Sequence, residues 1–144
     1  MLTSSGVYAL TASTDGMQGW IGEARFTLNR GTHSVTSYIV TLEHEGKKLV
    51  YTGDTGMRHD LEDICRNADL LLADTNFTEA ECPSPPAPHM SGAEAGRLAA
   101  AAGVKRLVCT HMRGAGTDEA QILAQAKRYF PQAELASDMA VYTV

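Results

Sequence analysis

A chain of 144 residues, 44% hydrophobic and 20% charged, has the size of one domain and a globular rather than a disordered composition. Its longest unbroken apolar run, Leu98 to Ala102, is far too short to span a bilayer, and Met1-Leu2-Thr3-Ser4-Ser5-Gly6 lacks the basic and apolar blocks of a signal peptide. Twelve basic against seventeen acidic residues give a formal charge of −5, a field that repels nucleic acid rather than recruiting it.

Two segments near the start, Val7-Tyr8-Ala9-Leu10-Thr11 and Ala24-Arg25-Phe26-Thr27-Leu28, alternate apolar and polar positions as strands do. Tyr38 to Leu42 and Lys48 to Thr52 flank Glu43-His44-Glu45-Gly46-Lys47, a hairpin signal in which Gly46 is free to take positive φ. Beyond Met57 the rhythm changes. Leu61, Ile64 and Cys65 predict a short helix ending near Asn67, and Leu70 to Ala73 reads as a strand buried on both faces. Pro83-Ser84-Pro85-Pro86-Ala87-Pro88 can neither continue a helix nor pair in a sheet, so it is a stiff extended loop.

Ser91 followed by Glu94 has the capping-box spacing, and the alanine-rich helix that it opens should stop at Gly103. Arg106 to Thr110 reads as a second buried strand. Thr117 is placed to cap a helix carrying Ile122, Leu123, Ala126 and Tyr129, closed by Pro131. Ala140 to Val144 reads as a last strand. Strands first and helix–strand alternation afterwards predict one α/β domain over residues 1–144, a mixed sheet with helices on one face. Three cysteines, Cys65, Cys82 and Cys109, with no Cys-x-x-Cys, suit a reducing cytosol better than a disulfide framework.

The chemistry-bearing candidates are His33, Asp54, His89 and His111. Asp54 sits in Thr52-Gly53-Asp54-Thr55-Gly56 at a strand end, where it can hold a metal or only close an Asx-turn. His33 precedes one strand and His111 follows another; either can be a ligand or an ordinary strand-end residue. His89, between the proline loop and the capped helix, can be a general acid or a polar residue ahead of an N-cap. His44 and His59 read as surface. Two histidines and an aspartate at three strand ends are nitrogen and carboxylate donors of the kind zinc takes, and a divalent ion lowers the pKa of bound water to around 7.

Thr52-Gly53-Asp54-Thr55-Gly56, Ala68-Asp69-Leu70-Leu71-Leu72, His89-Met90-Ser91 with Glu94-Ala95, and Gly103 through His111 occur in an order that resembles the metallo-β-lactamase superfamily. His33 with Ser34-Val35 and Ser37-Tyr38 extends the likeness to its ribonuclease Z and small phosphodiesterase branch, from about Gly31 to Val144. The resemblance implies a two-metal site, of zinc or manganese, in which Asp54 bridges the ions while His33 and His111 each bind one. It further implies that His89 protonates the leaving group, steered by Asp74, which stands where the branch has a longer glutamate.

The family's His-x-His-x-Asp-His cluster has no counterpart, and no histidine precedes His33. The chain thus resembles the C-terminal half of an αββα sandwich. Three expectations follow: a fragment of a longer protein, a first half supplied by a separate polypeptide, or a natural domain without catalysis. In each, the isolated chain is short of metal ligands. A half-sandwich also leaves a sheet face bare, which predicts a homodimer. The substrate expected is a small phosphodiester, because the interval from His33 to Asp54 has no room for the long insert of ribonuclease Z. The competing reading is a non-catalytic α/β interaction domain. A doubly wound nucleotide binder is disfavoured, since no Gly-x-Gly-x-x-Gly loop follows any strand.

Overall fold

The computed structural model describes residues 12–112 and 118–144. Among them lies one seven-stranded sheet: β1 (Gln18–Ile21), β2 (Ala24–Arg30), β3 (Tyr38–His44), β4 (Lys47–Tyr51), β5 (Leu70–Asp74), β6 (Leu107–Thr110) and β7 (Glu134–Leu135). Spatial order equals chain order. The first four strands pair antiparallel and the last four parallel, because hairpins link the former while helices bridge the latter. Those crossovers are α1 (Leu61–Cys65), α2 (Gly92–Ala102) and α3 (Glu119–Lys127), with α2 packed against both of the others.

Local sequence explains each junction. Glu45 and Gly46 turn the β3–β4 hairpin at φ +48° and +75°, the doubly positive turn whose twist matches a hairpin. Ser91 accepts from the Glu94 N–H while Glu94 accepts from the Ser91 N–H, and Gly103 stops α2 at φ +65°, which are the N- and C-terminal devices that the spacing predicts. Asp118 caps α3 through the Gln121 N–H; Thr117, and the expected strand at Val7–Thr11, lie outside the described residues.

Ala140 to Val144 is not a strand. The place beside β6 is taken by β7, through Val108–Glu134 and Cys109–Leu135. A turn from Ser137 to Ala140, with Met139 at φ +62°, then diverts the chain. β1 is an addition that the sequence reading did not contain.

Side-chain alternation divides the sheet into two unequal faces. Toward the helices point Ile39, Val50, Leu71, Ala73, Leu107 and Cys109, all fully buried with Leu61, Cys65, Leu98 and Ala99. Burial pushes the thiols of Cys65 and Cys109 up to about 12 and 11, so both are inert packing groups. On the other face two apolar rows cross the strands. One is Leu28, Val40, Tyr51, Leu72 and Val108, and the other Phe26, Leu42, Leu49 and Leu70, each residue directly opposite the next. Leu70 and Val108 are buried, whereas Phe26, Leu28, Val40, Leu42, Leu49 and Leu72 are only half-buried and Tyr51 is exposed. A hollow of about 290 Å³ remains between Leu42, Leu49 and Val144.

Candidate functional site

Loops at the carboxyl ends of β4, β5 and β6 meet the segment that precedes β3, at one rim of the sheet. The Gly56 N–H donates to the Thr32 carbonyl, and the Thr32 N–H to the Thr55 hydroxyl (3.1 and 2.8 Å). These bonds dock the His33 loop onto the Asp54 loop. His111 leaves β6 in the left-handed region at φ +60°, and its Nδ1 stands 3.4 Å from Asp54 Oδ1. His89 lies between the other two histidines: its ring centroid is 5.0 Å from that of His33 and 5.3 Å from that of His111. His33, Asp54, Asp74, His89 and His111 therefore form one cluster. His44 and His59 do not join it; His44 faces the Glu23 carbonyl and His59 lines a hollow beside α1 and α2.

Asp74 is the buried anchor of the cluster. Its Oδ2 accepts from the Thr55 N–H (3.0 Å) and lies 2.7 Å from His89 Nδ1, and its side chain is fully buried. Its own N–H donates to the Thr52 hydroxyl (2.9 Å). Burial pushes the Asp74 carboxyl up to about 7, against the Thr55 N–H, which favours the charged form. Oδ1 is buried without a hydrogen-bond partner among the described residues. A carboxyl so placed fixes the His89 ring by its Nδ1 side. Any proton that His89 gives away then comes from Nε2.

Whether these groups suit a metal can be judged from donor spacing. Two ligands of one tetrahedral zinc, at bond lengths of ~2.0–2.1 Å, stand about 3.3 Å apart; Asp54 Oδ1 and His111 Nδ1 are 3.4 Å apart. That pair fits. His33 is not set to join it in the same state, since its Nδ1 accepts from the Val35 N–H at 3.3 Å, which in a neutral ring leaves the proton on Nε2. No group of three or more His, Cys, Asp or Glu among the described residues is arranged around a common ion. The described residues thus carry part of a donor set.

Sequence reasoning did not single out Thr32, Thr55, Asn76 and Phe77. Thr32 works through its backbone groups, which any residue type supplies, whereas Thr55 uses both its N–H, toward Asp74, and its hydroxyl, toward Thr32 and Gly56. Asn76 donates from Nδ2 to the His111 carbonyl (2.8 Å), and the Phe77 ring lies 5.8 Å edge-on from His89. Their adjacency to Asp74 in Asp74-Thr75-Asn76-Phe77 was the available signal.

Comparison with known proteins bears on this geometry. Residues 9–112 match the family described as the beta-lactamase superfamily domain. The chain is 40% identical over 100 residues to a ribonuclease Z of Bradyrhizobium sp. (strain ORS 278), an overlap of 69% of this chain and 33% of that protein. It is 37% identical over 99 residues to an uncharacterized protein of Mycobacterium leprae (strain TN), covering 68% and 34%. Its backbone superposes, with a TM-score of 0.86 and 28% identity, on the metallo-beta-lactamase fold protein YhfI from Bacillus subtilis, over 99% of this chain and 59% of that one. The chain thus spans about a third of the length of these curated relatives. With a mixed α/β sheet of that fold and a rim of histidines and aspartates at its strand ends, the chain belongs to the metallo-beta-lactamase superfamily and has relatives of the ribonuclease Z kind.

Proposed function

We propose that this chain is the C-terminal portion of a metal-dependent hydrolase of phosphodiester bonds, inactive by itself and completed by donors from outside it. The observation that carries the reading is the contact, on one rim, between a metal-suited pair (Asp54 and His111) and a closely paired carboxyl and imidazole (Asp74 and His89). A divalent ion, zinc or manganese, would be held by Asp54 and His111, and by His33 once its ring releases Val35; such an ion supplies hydroxide at neutral pH. This chain's own residues do the rest. Asp74 orients His89, and His89 Nε2 presents a proton to the leaving oxygen. The net charge of −5 and the short His33–Asp54 interval favour a small phosphodiester over a nucleic acid.

Two experiments test the reading. Genomic DNA upstream of the Met1 codon is expected to encode an in-frame His-x-His-x-Asp-His. The longer product should cleave bis(p-nitrophenyl) phosphate with zinc or manganese, and His89→Ala should lower kcat about 100-fold or more, the usual share of a general acid. An upstream frame without that cluster, or a kcat indifferent to His89→Ala, contradicts the proposal.

A second reading, a non-catalytic interaction domain, is favoured by the two half-buried apolar rows on the sheet face away from the helices. Both readings have the isolated chain covering that face with a second copy, because contiguous apolar area of this kind is rarely left to water. Sedimentation at micromolar concentration should give a dimer, and Leu42→Glu should split it. A wild-type monomer under those conditions contradicts this.

A further inference from the structure

We propose that Asn76 is a positioning residue of the site: its buried amide, by donating to the His111 carbonyl, holds the left-handed turn that brings the His111 ring back to Asp54. The geometry stands without a functional reading; its consequence for a metal rests on the proposal above.

A non-glycine residue with φ near +60° occupies a sparsely populated region that persists only where its surroundings impose it. His111 is such a residue, and it is exposed, with its ring against only His89 and Asp54 among the contacts described above. Its carbonyl, however, receives the Asn76 Nδ2–H at 2.8 Å, from a residue only 5% exposed.

One position earlier, the Thr75 N–H and hydroxyl both donate to the Thr110 carbonyl (3.0 and 3.1 Å). They fix where β6 ends, and the next bond decides which way the chain leaves. One position later, the Phe77 N–H donates to the Met90 carbonyl and the Gly92 N–H to the Phe77 carbonyl, which ties the same segment to the loop that carries His89. Residues 74–77 thus reach, in sequence order, His89 and the Asp54 loop, the end of β6, His111, and the head of α2. Asn76 is the member of that series that acts on His111 directly.

NMR of the 144-residue chain tests this. In the wild type, the Asn76 side-chain amide should exchange slowly with solvent. His111 should give the strong intraresidue HN–Hα NOE of a positive φ, and its ring should show NOEs to the ring of His89. Asn76→Ala should keep the sheet's shifts but lose both His111 signatures, while Thr75→Val, which removes a neighbouring hydroxyl bond, should keep them. If Asn76→Ala does not fold, Asn76→Ser, with a side chain too short to reach, takes its place. Fast amide exchange in the wild type overturns the proposal. So does a His111 that stays left-handed and beside His89 without Asn76, or an equal response to Thr75→Val.

Zinc titration of the same samples separates the two readings. Affinity should fall 10–100-fold in Asn76→Ala, as when other groups that orient a ligand are lost. Lost His111 signatures with no zinc response in either protein uphold the turn and sink the metal reading. Unchanged zinc affinity in Asn76→Ala overturns the positioning role.

Discussion

Alanine at position 56 is expected to destabilise the fold by about 2–3 kcal/mol, the range of a forced overpacking, and to pull His89 away from Asp74. A Cβ on Gly56 would sit 1.9 Å from the Ala87 carbonyl oxygen and 2.8 Å from its carbonyl carbon. The neighbour is backbone, so no rotamer change relieves the clash. Neither side yields easily. Gly56 is tied to Thr32 through its N–H and to the Thr55 hydroxyl through its carbonyl, and Ala87 stands between prolines whose rings restrict φ. The strain is therefore passed along the loop to His89, two residues on. A lowered urea midpoint with weakened His89–His33 ring NOEs is the predicted result. An unchanged midpoint would mean that the proline loop is not seated on Gly56.

Asp74→Asn is expected to flatten a pH dependence that the wild type should display. The folded-state carboxyl, raised by burial to about 7, holds a proton that an unfolded chain gives up near ~3.9. A raised acid makes the folded state the better proton binder, so this contribution to stability is greatest below about pH 4. It declines as pH rises toward 7 and is fully lost above. The size is on the order of a few kcal/mol, less whatever a charged His89 returns by pairing at 2.7 Å.

Asparagine keeps the shape and offers an oxygen where Oδ2 accepts from Thr55 and faces His89. The variant should therefore fold, lose less stability between pH 5 and pH 8 than the wild type, and be the more stable of the two at pH 8. Urea unfolding at both pH values checks this, and parallel losses in the two proteins would contradict it.

The parts of the fold legible in the sequence were those whose signals are local. The Glu45-Gly46 turn, the Ser91/Glu94 box and the Gly103 stop each occupy a few consecutive residues, and Leu70 to Ala73 carries its burial in its composition. β7 was not legible because it is two residues long and exists only through β6. β1, with Gly19 inside it and exposed Trp20 and Ile21 beside each other, lacks the alternation that marks a half-buried strand. Ala140 to Val144 has strand-like residues but no free neighbour beside β6, so propensity yielded to topology.

The same division holds at the rim. His33, Asp54 and His111 were visible because histidine and aspartate at strand ends are few and chemically distinctive. What sequence spacing did not convey was how they are held. Thr55 reaches Asp74 across nineteen positions, and Asn76 reaches His111 across thirty-five. Both residue types are common in loops for reasons of turn chemistry alone. The positive φ of His111 has no signature in a segment that reads simply as the end of a buried strand.

The most direct check on the central claim, that His33, Asp54 and His111 contribute to one metal-binding rim, is a zinc titration of the 144-residue chain followed by NMR. Signals of those three side chains should shift together with added zinc, weakly because the donor set is incomplete, and the response should disappear in His111→Ala. Shifts centred on His44 or His59, or no shift at any residue up to millimolar zinc, would contradict it.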